Sequence, residues 1–303
     1  ADAGSITLNG GETVVQHPNA LGTAAGNTQV NVNISLLIDG VSLAEPLNIN
    51  GPGFGNQGVV RQISGASTTL SGDVTLAAGV NIGVDTGLQL IMSGAISGAF
   101  GVNKQYLGTL QFGGATSNTF TGIMQVQGGT LELNKTGGAF AIQTRLEAGN
   151  DSGAAGLGGV NADVVRWLQN EQLAPTATEQ LVANTEGLFD FNGRTETIAA
   201  NAINSVFARM GQASSGRYDL NGGTLILNGG TSQTISTTST GFTIATPSAV
   251  IEDGTISLAN WVYPPIRAVL RCQWLKRSKT MSHQWQNSSM TKTNSSNRST
   301  PPK

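Results

Sequence analysis

A short strand phrase recurs along this chain at a spacing that suits a coiled sheet and not a hairpin. It reads Gly129-Thr130-Leu131-Glu132-Leu133, and again Gly108-Thr109-Leu110-Gln111-Phe112, Gly223-Thr224-Leu225-Ile226-Leu227 and Gly254-Thr255-Ile256-Ser257-Leu258. Side chains of a strand alternate between faces, so Leu131 and Leu133 point one way and Glu132 the other. An upstream relative, Gly87-Leu88-Gln89-Leu90, lacks the Thr, and Leu88, Leu110 and Leu131 follow one another at 22 and 21 residues. That interval fits one coil of a β-solenoid, in which each turn of chain stacks on the last. Within the phrase's best copy, 107–135, two alternating strands flank a Gly/Asn/Thr corner.

The same stretch carries a family likeness. GTLQF, then Asn118-Thr119-Phe120-Thr121-Gly122, then VQGGTLELNK resembles the autotransporter-associated β-strand repeat, also called the passenger-associated transport repeat. Phe120 takes its aromatic slot. Three further stretches look like large bacterial surface proteins that carry the repeat: Leu47–Gly65, Ala162–Thr178 and Gly187–Ile198. The likeness spans roughly Ile34 to Leu258. It implies an all-β, right-handed parallel β-helix belonging to a large exported protein of the bacterial cell surface, secreted or outer membrane-associated. It also implies a scaffold or adhesive role without catalysis, with further repeats of the same chain, surface glycans or components of host or neighbouring cells as partners. The signal and the translocation or anchoring region are expected to lie outside these residues.

Composition agrees with an exported β-protein. Of 303 residues 41 are Gly and only 11% are charged, unlike a cytosolic enzyme. Collagen's Gly-X-Y register is absent, and no apolar run approaches the ~18 residues of a membrane-spanning helix. The single cysteine, Cys272, has no intrachain partner for a disulfide. Charge divides the chain near Trp261. Residues 1–261 hold all 18 acidic residues and 8 basic ones, whereas 262–303 hold 8 basic and no acidic residues. The tail also has no glycine and no alternation, and it contains Trp274 and Trp285. It reads as a disordered or frame-shifted terminus, in preference to a tail that binds nucleic acid or anionic membrane.

Short strands with glycine corners account for most of 1–261. Val30, Val32, Ile34 and Leu36 read as one half-buried strand, followed by Leu47–Asn50, Val59–Ile63, Val74–Leu76, Val80–Val84 and Leu88–Met92. From Arg217 onward the strands expected are Arg217–Asn221, Gly223–Asn228, Thr234–Ser236, Phe242–Ile244 and Val250–Leu258. Two segments read as short helices. Asn161 offers an N-cap, Asp163 an acid in the first turn, and Val164, Val165, Trp167, Leu168 and Leu173 an apolar side out to Pro175, with Trp167 as a plug against the solenoid's flank. Ile203, Val206, Phe207 and Met210 have helical spacing within Ala200–Met210, in competition with a strand.

Candidate chemistry is sparse. His17 has no second ligand nearby in sequence for a metal. Gly51-Pro52-Gly53-Phe54-Gly55-Asn56 lacks the Lys-Ser/Thr ending of a phosphate loop and reads as a solenoid corner. Gly149–Gly153 is rich in oxygen ligands but has no calcium-binding register. Phe120 is either a glycan platform or part of an interior stack. Asp39, Asp73, Asp190 and Asp219 stand beside turns, where acids commonly solvate a bend. A carbohydrate-active β-helix would need two of them on one groove. No catalytic, cofactor-binding or metal-binding residue is assigned from the sequence, and no cofactor or nucleic-acid partner is expected.

Overall fold

A computed structural model describes residues 4–149, 162–175, 181–184, 186–199, 207–208, 217–228, 250–252 and 255–259. All belong to one compact unit, Ala1–Ile266. The tail 262–303, the strands expected at Thr234–Ser236 and Phe242–Ile244, and Asn150–Gly153 lie outside these residues.

Every pairing between strands is parallel, and the chain visits the same sheets in rotation, forming about eight coils of a β-solenoid. The first sheet runs from Ile6–Leu8 to Ile96–Ser97, the second from Glu12–Val15 to Phe207–Ala208, and the third from Ser67–Leu70 to Val250–Glu252. A further sheet joins Thr195–Ala199, Thr224–Asn228 and Thr255–Ala259. The interval between stacked neighbours is 22 residues for Asn81 and Asn103 and again for Gln125 and Glu147. Alternation explains the core, because one side of each strand faces the interior. Leu90, Leu110, Leu131 and Val165 form one buried column of the third sheet, in direct register. Met92, Phe112, Leu133 and Trp167 form the next. In the later coils rings fill the interior: Trp167 stacks on Phe191 at 4.5 Å, and Phe189 on Tyr218 at 5.1 Å.

Several expectations are corrected. The helix expected over Asn161–Pro175 is the strand Asp163–Trp167, paired with Gly129–Leu133 and Gly187–Asp190. Its burial alternates, so Asp163, Val165 and Trp167 face the core, and Trp167 is an interior residue and not a flank plug. Within Ala200–Met210 only Phe207–Ala208 are described, and they form a strand. Among the described residues the one helical segment is the 3-10 turn Phe54–Asn56. The strand read over Val30–Leu36 breaks at Asn33, whose φ is 62°, and Val32 is exposed there. Leu88 is displaced from the repeat: its coil aligns through Leu90, the register partner of Leu110. No helix of the described residues is long and apolar enough to cross a membrane.

Candidate functional site

The residues singled out from sequence are dispersed. His17 is exposed, and its Nδ1 accepts a hydrogen bond from the Asn19 amide at 3.1 Å. Asp39 ends a strand of the second sheet, where bonds from Gln16 and Ser64 hold its carboxyl below the usual range. Asp73 lies at a corner and accepts the Ala95 amide at 2.8 Å. Phe120 is fully buried, edge-on to Phe112 at 6.3 Å, so the interior stack is its role. In the Gly51–Asn56 corner, Phe54 is 47% exposed and its amide donates to Ser35 Oγ at 2.9 Å. Asp190 and Asp219 do come together, as register partners on adjacent coils. Each accepts the amide of the Asn two residues on, at 2.9 Å, in the repeated corners Asp190-Phe191-Asn192-Gly193 and Asp219-Leu220-Asn221-Gly222. Such a local bond fixes a bend. Asp190 also accepts from Arg166 at 2.8 Å.

The most perturbed groups are ones that the sequence reading passed over. Lys104 is fully buried and occupies an inward column of the second sheet, between Ile82 and Val126. Its ammonium donates to the carbonyls of Gly108 at 2.5 Å and Gly128 at 2.6 Å, and to those of Gln105 and Tyr106. Burial pushes its pKa down to about 7, while the Asp163 carboxyl pulls it back up. Asp163 faces the same interior from the third sheet, being the register partner of Gly129. Burial, with Glu186 adding repulsion, pushes Asp163 up to about 7. Lys135, also buried, reaches the Gly94 carbonyl at 3.1 Å and is pushed down to about 8 by burial.

A second set of buried polar side chains takes the place of missing backbone rungs where the first sheet ends. Asn118 accepts the Ile96 amide at 3.1 Å and donates to the Ala141 carbonyl at 3.0 Å. One coil further, the Gln172 amide brackets Lys135, accepting its N–H at 2.7 Å and donating to its carbonyl at 3.0 Å. Glu196 accepts the Gln172 and Leu173 amides at 2.7 and 3.2 Å and Trp167 Nε1 at 2.8 Å. Burial raises Glu196 to about 8, against these three donors. Buried backbone groups need partners, and these side chains supply them.

On the outside, polar side chains bond along the stack. On the third sheet Glu132 accepts from Gln111 at 2.8 Å and Gln89 at 3.1 Å, and Asn134 donates to Gln111 at 3.2 Å. On the second, Asn103 donates to Asn81 at 3.1 Å and Gln125 to Glu147 at 3.1 Å, while Gln127 braces Gln125 within its own coil at 2.7 Å. No family model, curated protein or solved structure matches the chain. Among the described residues no three His, Cys, Asp or Glu side chains gather as a metal site. What the outer residues do is hold adjacent coils in register, and what the buried ions do is cap carbonyls and amides at the corners.

Proposed function

We propose that this chain is a structural or adhesive segment of a large exported bacterial surface protein, secreted or held at the outer membrane, and that it performs no catalysis. The observation carrying this reading is the direction of the outer hydrogen bonds. Gln111 and Gln125 bond to their register partners Glu132 and Glu147 on the next coil, and Gln89 reaches Glu132 from two coils away, which stiffens the stack. The parallel solenoid and the likeness of Gly108–Leu133 to the autotransporter-associated repeat support the same role. Further repeats of the same chain would then continue the stack.

A carbohydrate-active β-helix is the second reading, favoured by one observation, the adjacency of Asp190 and Asp219. The two readings separate on turnover. Incubation of the full chain with neutral and acidic polysaccharides is expected to release no reducing or unsaturated ends. Release that disappears in Asp219→Asn would overturn the structural role and establish the catalytic one.

A further inference from the structure

The outer face of the second sheet holds a cluster that coil stacking does not require. Tyr106 has φ 64°, and it is the only aromatic among the described non-glycine residues with positive φ. That conformation is uncommon for a bulky side chain and is characteristic of positions held for a purpose. By strand alternation position 106 has the inward parity of Lys104. The left-handed turn instead brings the ring to the outer face, partly exposed. There it meets Arg61, whose guanidinium carbon is 4.3 Å from the ring centroid although it starts two coils away. Gly83 lies between them, and a Cβ at that position would be 2.9 Å from Arg61 Cγ and 3.2 Å from Tyr106 Cδ2. The missing side chain thus makes room for the pair. Beside the ring run the half-exposed amides Gln105 and Gln127, 3.5 Å apart.

The charges here are compensated. Arg61 is held by Asp85 at 2.8 Å and by Gln57, and Arg145 by Glu147 at 2.6 Å. An anionic polymer would have to break one of these pairs to find a cation. What remains available is the partly exposed Tyr106 ring, one face of which lies under the Arg61 guanidinium, and the part-exposed amides of Gln105 and Gln127, which both donate and accept. A partly apolar, hydroxyl-rich neutral chain complements such a surface. We infer that the Tyr106–Arg61 face, flanked by Gln105 and Gln127, is a binding surface for a neutral oligosaccharide. This inference rests on the adhesive reading above and names its partner class.

The test uses the full chain on an array of neutral and acidic glycans, followed by titration of the best-retained neutral chain. Retention of at least one neutral glycan is expected, with no cleavage. Tyr106→Gly is expected to weaken it about tenfold or more, the loss of one stacking platform. Glycine accepts φ 64° readily, so the melting temperature of this variant should hold or rise, whereas a purely structural tyrosine would lower it. Phe100→Ala, at an exposed aromatic elsewhere, should leave binding unchanged. Absence of neutral glycan binding, binding of acidic chains alone, or affinity unmoved by Tyr106→Gly would each overturn the inference while leaving a non-adhesive scaffold intact. Cleavage would instead overturn the scaffold reading itself.

Discussion

At the scale of single residues, alternation decides most fates and its exceptions carry the interest. Leu131 is fully buried, while Glu132 beside it is half-buried and accepts from Gln89 and Gln111. Leu131→Asp places an unpaired charge in the core and is expected to cost several kcal/mol, about 3 or more. Glu132→Lys loses an amide rung and sets a cation beside its register partner Arg166, at a cost of about 1 kcal/mol or less. Urea denaturation of the two variants checks the contrast, and equal midpoints would refute the facing. Lys104 is the exception. Lys104→Met matches the apolar column but leaves the Gly128 carbonyl without this donor, at about 1–3 kcal/mol, whereas the Gly108 carbonyl keeps the Thr130 amide at 3.2 Å. A loss of about 2 kcal/mol is expected, and a variant as stable as the parent would show that the Gly128 carbonyl finds another partner. The parity of Lys104 was readable from Val102-Asn103-Lys104-Gln105. Its burial was not, since a lysine at an inward position looks like an error until four carbonyls surround it.

At the scale of elements, the corners set how closely coils approach. A Cβ at Gly122 would lie 2.1 Å from the Gly101 nitrogen, whereas one at Gly79 meets nothing within 4 Å. Gly122→Ala therefore forces two backbones apart and is expected to destabilise by about 2–4 kcal/mol, with Gly79→Ala within about 0.5 kcal/mol of the parent. Thermal melts of the pair would contradict this packing if Gly122→Ala were silent. The repeat, the parallel coils and the inward leucines were legible because period-two alternation and a recurrence near 22 residues are both local signals. The strand Asp163–Trp167 was not. Val164, Val165, Trp167 and Leu168 fit a helical stripe as well as a strand, and the N-cap and first-turn acid favoured the helix. Pairing with Gly129–Leu133 on one side and Gly187–Asp190 on the other decides the matter, and neither partner is adjacent in sequence. The polar cluster around Glu196 was hidden for a related reason. Glu196 is bonded to residues 23 to 29 positions away, across a coil whose length the sequence did not reveal.

At the scale of the whole molecule, the buried ions give the solenoid a distinctive dependence on pH. Glu196 is raised from 4.5 to about 8 and Asp163 from 3.8 to about 7, and burial raises Glu45 as well. In the unfolded chain these groups release their protons near the ordinary carboxylate values, while the folded chain keeps them to higher pH. Between about pH 4 and 8 the folded state therefore binds more protons, and its stability falls as pH rises. The lysines act in the opposite sense. Lys104 is lowered from 10.5 to about 7 and Lys135 to about 8. Above those values the folded state has lost protons that the unfolded chain still holds up to about 10.5, so stability recovers with rising pH. Asp39, lowered by its hydrogen bonds, contributes only on the acid side of its ordinary value, where its stabilisation is lost as pH falls. The sum is a trough in stability around pH 7–8, with a higher melting temperature near pH 5 and again above pH 9. Melts from pH 4.5 to 9.5 at constant ionic strength test it. Glu196→Gln removes one titrating group and should flatten the limb between pH 5 and 8, although it lowers stability because an amide NH2 cannot accept at the Oε2 position, which takes both the Trp167 and Gln172 N–H groups. A melting temperature that climbs steadily from pH 5 to 8 would mean that Glu196 and Asp163 remain ionised, their donors and Lys104 outweighing burial.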